Sequence, residues 1–171
     1  MTTVIKIAKD LHIKKHGIFD MDKLYKFVYA WLDDRKYFFH EKLYKHKPGF
    51  IKGNEVELEI ESFRKVTGYV KYNIDITFHL WDVVDVDVIK HGKKQKMSQA
   101  RMDITLNGYI TTDYEENWEK KKLYKIMNDI YEKYIIKRKI EDIWMIELYK
   151  EAYDLHEKIK AIAEQEASRN G

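Results

Sequence analysis

A chain of 171 residues with 44% apolar and 36% charged side chains has the size and balance of one folded domain with its own core. Its 32 basic and 29 acidic residues leave a formal charge of +3, which permits an anionic partner without requiring one. Cysteine is absent, which excludes disulfides, thiolate metal sites, iron–sulfur clusters and cysteine nucleophiles together.

The opening Met-Thr-Thr-Val-Ile-Lys-Ile-Ala-Lys-Asp lacks the apolar core of a signal peptide. No run of about 18 apolar residues follows, so no membrane span is expected and the default compartment is cytoplasmic. Thr3 to Ala8 reads as a short strand, and Lys14, Lys15, His16 and Gly17 read as a loop. A helix then starts at Asp20, a good N-cap, with Phe19 placed to staple onto Leu24. Leu24, Phe27, Val28, Trp31 and Leu32 form its apolar stripe, and Asp33-Asp34-Arg35 ends it.

From Tyr37 to Tyr114 the period changes to two. An aromatic-rich strand over Tyr37 to Lys45 meets the turn signal Lys47-Pro48-Gly49. Val56, Leu58, Ile60 and Ser62 then alternate with Glu55, Glu57, Glu59 and Glu61, a glutamate ladder that needs Lys42, Lys45 or Lys71 across from it. After the turn at Lys65 to Gly68, Val70, Tyr72, Ile74, Ile76, Phe78 and Leu80 face one way and Lys71, Asn73, Asp75, Thr77 and His79 the other. Between Gly68 and Lys90 no strong turn signal appears. The pattern therefore allows one long strand bent near Trp81-Asp82, or two strands meeting there through a bulge or corner. Val84, Val86 and Val88 alternate with Asp85 and Asp87, and after a lysine-rich loop Ala100, Met102, Ile104, Leu106 and Ile110 carry the last apolar strand face. Such alternation is the mark of an antiparallel sheet with one dry and one wet face, and it argues against a doubly wound parallel fold.

Residues 115–167 contain no proline or glycine and read as helical. Leu123, Ile126, Met127, Ile130 and Tyr134 form one stripe. Met145, Leu148, Ala152, Leu155, Ile159 and Ile162 form another, at the 3-4-3-4-3 spacing of a heptad seam. The two stripes belong either to one kinked helix or to two helices meeting near Lys137-Arg138-Lys139. The seam requires a cover, which is either the chain's own body or a second copy. The reading adopted is self-association, dividing the chain into a sheet domain at 1–140 and a helical extension at 141–171.

Motifs for catalysis are sparse. His12 and His16 have a helical metal-ligand spacing but no third ligand nearby, so no metal is expected. His40-Glu41 begins a zinc-protease motif whose second histidine is missing, since His46 lies six residues on. Asp82, Asp85 and Asp87 fit a half-exposed strand better than a cation site. The seven glycines are scattered and form no phosphate-binding loop. No catalytic residue and no cofactor are assigned, and the balance leans away from an enzyme. The lysines of the 90–96 loop, Lys93, Lys94 and Lys96, are the candidate contacts to a phosphate backbone, together with Lys120 to Lys122 and Lys137 to Lys139.

The fold class read from these elements is α+β: an antiparallel meander with helices on one face and a long C-terminal helical region. The order of strand, helix, meander and long helix, over residues 3 to 138, resembles the helix-grip fold of START-like lipid- and hormone-binding proteins. That resemblance rests on element order, so no functional residue is carried over from it. It implies a curved sheet wrapping a final helix around an apolar cavity. Here such a cavity would be lined by Tyr72, Ile74, Ile76, Phe78, Ile104, Leu106, Ile126 and Ile130. The leading expectation is a non-catalytic binding or interaction domain holding a small apolar ligand between sheet and helix. The alternatives are a nucleic-acid- or ribosome-associated protein using the lysine loops, and a self-assembling structural protein.

Overall fold

The structure is a computed structural model and describes residues 2–49, 53–90, 93–114 and 143–168. Alternating side chains build five strands: β1 (Thr3–Phe19), β2 (Phe38–Lys47), β3 (Asn54–Lys65), β4 (Val70–Lys90) and β5 (Lys93–Thr112). They pair antiparallel in the order β1-β5-β4-β3-β2. The last four form a meander, and β1 closes the far edge against β5. One helix, α1 (Met21–Asp34), connects the two edge strands; another, α2 (Met145–Ser168), packs on β1, β5 and α1. This is an α+β architecture. Among the described residues no helix is long and apolar enough to cross a membrane.

The dry face falls where the alternation places it. Val70, Tyr72, Ile74, Ile76, Phe78 and Leu80 are buried, as are Leu58, Ile60, Met102, Ile104, Leu106 and Ile110 on the neighbouring strands. The wet face carries the glutamate ladder, answered from β2 by Lys42, 2.6 Å from Glu61, and by Lys47, 3.6 Å from Glu55. Lys71, the third candidate partner, instead lies over the Phe63 ring at 5.2 Å.

Two bulges decide what the period could not. In β1 the register steps from Ala8↔Gly108 to Leu11↔Leu106. Asp10 takes up the extra length with φ 49°, and its N–H donates to the Asn107 side chain at 2.9 Å. Beyond the bulge β1 pairs without a break to Phe19↔Ser98, so the expected loop around Lys14 to Gly17 is strand. Its local sequence lacks alternation; the partner strand supplies the order. In β4, Asp82 at φ 57° marks a second bulge, with the register stepping from Trp81↔Arg101 to Val84↔Gln99. The single long bent strand is therefore the alternative realised. One extra residue reverses the parity. Val84, Val86 and Val88 share the face of Trp81, whereas Asp85 and Asp87 turn to the face of Leu80.

Helix α1 follows its sequence signals. Asp20 accepts from the Lys23 N–H at 2.9 Å, and Phe19 and Leu24 are both fully buried beside each other's turn. Lys36, at φ 61°, ends the helix, with the Tyr37 N–H returning to the Leu32 carbonyl at 2.9 Å.

The C-terminal seam is a wall of the sheet's own core, which corrects the expectation of a separate arm. Leu148, Ala152, Leu155 and Ile159 are fully buried within the chain, and Met145 and Ile162 pack partly buried against the same cluster. The small Ala152 does permit close approach, but to the sheet. A Cβ built on Gly108 of β5 would lie 3.4 Å from both Ala152 Cβ and Ala8 Cβ, so glycine and two alanines let helix and sheet meet there. The stripe over Leu123 to Tyr134, and the choice between one helix and two, lie outside the described residues.

Candidate binding cleft

Tyr72, Ile74, Ile76, Phe78, Ile104 and Leu106, the expected cavity lining, are each fully buried and pack into one core with α1 and α2. Ile126 and Ile130 lie outside the described residues. The open space sits further along the same face, between the first turns of α1 and the outer strands. This cleft has a volume of about 600 Å³. Its apolar floor is Val56, Leu58, Leu80 and Val83, with Met21 from the start of α1. Around it stand Tyr25, Glu41, His46, Asn54, Asp85 and Ser98.

Each wall has a local cause. The Asp20 cap and the Phe19 staple fix where α1 begins, and so place Met21 and Tyr25 over the sheet. Tyr25 donates its hydroxyl to Glu41 Oε2 at 3.1 Å and packs edge-on against Phe39 at 6.0 Å. Burial, with Glu41 beside it, raises the Tyr25 phenol above its ordinary range, so it stays a donor. The β2 register pairs Glu41 with Ile60 and His46 with Val56, which puts these polar groups on the dry face at the sheet's edge. The β4 bulge delivers Asp85, paired with Ser98. Sequence reasoning missed the cleft because both bulges and the edge register are set by pairing over long separations. Asp85 has the parity of an exposed residue in the plain alternation, and Glu41 and His46, of opposite parity, share a face only through the register shift between Glu41 and Leu43.

A polar latch closes the opposite end of this face. Arg64 lies between the rings of Tyr37 and Tyr72, 5.0 and 5.2 Å from their centroids, and reaches Glu151 at 3.1 Å and Glu147 at 3.3 Å. Tyr37 donates to Glu151 at 2.6 Å and Tyr72 to Glu147 at 3.1 Å, and burial raises both phenols well above their usual range. One turn on, Asp154 accepts from Trp31 at 3.0 Å, Arg35 at 3.2 Å and Lys158 at 2.9 Å. The Lys158 bond, with Trp31 and Arg35, holds the Asp154 carboxyl below its ordinary range. Every charged member has a counter-charge, so this network fastens α2 rather than presenting a reactive group.

The wet face and the outer end of the β4–β5 hairpin disperse the remaining candidates. His12 and His16 lie on a strand, where four residues span roughly 13 Å, so the helical ligand spacing does not apply. His12 instead meets Asp103 at 2.9 Å. His79 meets Glu55 at 2.7 Å and stacks on Trp81 at 3.9 Å; its hydrogen bond pulls the Glu55 carboxyl below its ordinary range. Asp87 pairs with Lys94 at 2.8 Å, while Lys96 is exposed and Lys93 opens β5. Among the described residues no group of three or more histidine or carboxylate side chains is placed to hold a metal. Comparison with known proteins finds no family model, no curated protein and no solved structure that matches this chain.

Proposed function

We propose that this protein is a non-catalytic binding domain that holds a small, largely apolar molecule in the cleft between α1 and strands β2 to β4. The observation that carries the reading is the cleft itself. Its volume of about 600 Å³ is that of a small-molecule site, and it has an aliphatic floor with a few polar groups at its margin. Val56, Leu58, Leu80 and Val83 supply the apolar contact, and Tyr25, Glu41, Asn54 and Ser98 orient a polar end. The arrangement of first strand, crossing helix, meander and final helix over one sheet face supports the likeness to helix-grip binding proteins, which use this face for apolar ligands.

The test is titration of the full chain with the neutral apolar dye Nile red, followed by its fluorescence. The dye should bind at one site, and Val56→Trp, which fills the cleft, should abolish binding while leaving the melting temperature near that of the parent. Absence of dye binding, or binding indifferent to Val56→Trp, overturns the reading.

A further inference from the structure

The cleft over β2 to β4 draws its charged margin from three elements. Asp22 comes from the first turn of α1, Glu41 from β2 and Asp85 from β4, and among the described residues no lysine or arginine lines it. Asp22 has Lys26 beside it at 3.7 Å. Glu41 accepts from the Tyr25 hydroxyl at 3.1 Å. Among the described residues neither Glu41 nor Asp85 has a lysine or arginine within ion-pair distance. His46 is the only basic side chain at this margin among the described residues, against three carboxylates. The whole chain carries +3, so the acidic margin runs against its average.

Strand pairing produces this sorting of charge. The register shift between Glu41 and Leu43 turns Glu41 to the cleft, while Lys45 and Lys47 stand opposite Glu57 and Glu55 on the other face. The Asp82 bulge in β4 brings Asp85 to the face of Leu80. Lys23, Lys26 and Lys96 line an adjoining hollow that shares Asp22 and Asp85 with the cleft, and they do not line the cleft itself. The positive end of α1, which by itself suits an anion, is offset where it begins: Asp20 accepts the Lys23 N–H, and Asp22 lies in the first turn. Tyr25 and Tyr44 add two aromatic rings to the margin, Tyr44 being 61% exposed, and such rings attract ammonium groups.

Resting on the reading of this cleft as a small-molecule site, we propose that its ligand is an amphipathic organic cation, a primary amine carrying an apolar body. The aliphatic floor of Val56, Leu58, Leu80 and Val83 takes the hydrocarbon. A protonated amine offers three N–H donors and no acceptor, which matches a margin supplied with carboxylate, amide and hydroxyl oxygens. Its charge pairs with Glu41 and Asp85, both exposed, so the ammonium keeps part of its hydration while the carboxylates gain the cation they lack. A fatty acid of the same shape brings a third negative charge against these two and is disfavoured. A neutral alcohol fills the floor equally well but gains no ion pair.

The test is calorimetric titration of the full chain at pH 7 and 50 mM salt with octylamine, 1-octanol and octanoate, which share one tail and differ in the charge of the head. Octylamine should bind at least about fivefold more tightly than octanol, the upper range of one exposed ion pair, and octanoate should bind most weakly. Glu41→Gln with Asp85→Asn should bring the amine-to-alcohol ratio close to one, and each single variant should narrow it. Glutamine at position 41 keeps an acceptor for Tyr25, so the change removes charge alone, and thermal melting should show each variant folded. Raising the salt to 500 mM should also narrow the ratio. If none of the three binds, or if octylamine binding survives Val56→Trp, the cleft reading fails and this proposal with it. If all three bind the cleft equally, or the preference for the amine persists in the double variant, the proposal alone is overturned.

Discussion

Single side chains report the sheet's two faces in opposite ways. Ile74 is fully buried, so Ile74→Asp strands an unpaired charge in the core. Its expected cost of more than about 4 kcal/mol should leave no cooperative transition in chemical denaturation. Its neighbour Asp75 is on the wet face, yet burial pushes its carboxyl up to about 6, with Glu61 and Glu59 adding repulsion against the smaller help of Lys42. The Tyr109 hydroxyl donates to one carboxylate oxygen, and the other, Oδ1, is buried without a partner among the described residues. A folded-state value above the unfolded one means the native chain binds the proton more strongly. Asp75 therefore disfavours folding above about pH 6, and that handicap disappears as pH falls towards 4. Asp75→Asn should raise the melting temperature at pH 8 and leave it unchanged at pH 4. A gain that is equal at both pH values would contradict the burial account.

The helix α2 is held by two devices, an apolar seam and a charged latch, and each has its own signature. Leu155 is fully buried between helix and sheet, so Leu155→Glu should unfold the protein rather than dissociate a dimer. Light scattering that finds a folded monomer made from a folded dimer would restore the self-association reading. The latch centres on Arg64, which contacts Glu147 and Glu151 and packs against two tyrosine rings. Arg64→Ala leaves Glu151 beside Tyr37 with its counter-charge removed, at an expected cost of about 2–4 kcal/mol. In the Arg64→Ala background, Glu151→Gln should recover part of that loss, because the uncompensated charge is then gone. A double-mutant cycle with zero coupling would show that the latch contributes nothing.

For the whole molecule, the consequence is that the chain's ends depend on each other. β1 at the start pairs with β5, and α2 at the end covers both strands. Removing residues 141–171 exposes Ala8, Ile13, Ile104 and Leu106 on the face that α2 covers. The truncated chain should lack the cooperative melting of the full one and should bind the hydrophobic dye anilinonaphthalene sulfonate. A truncated chain with the parent's melting profile would make α2 the dispensable arm that its heptad spacing first suggested.

The alternation from Val70 to Leu80, the Asp20 cap and the regularity of the C-terminal seam were legible in the sequence, because each is enforced by neighbours within a few residues. Strand period, capping and helix period are local physics, and they sufficed for the α+β class and the buried face. The tertiary structure alone decided which surface the seam meets, since a heptad stripe specifies that it must be covered and not by what. It also decided the bulges at Asp10 and Asp82, where a residue too many for the partner strand is absorbed by a left-handed turn. That second bulge turns Asp85 towards the cleft and Val84, Val86 and Val88 away from it. Register is a property of two strands together, and half of the information lies on the other one.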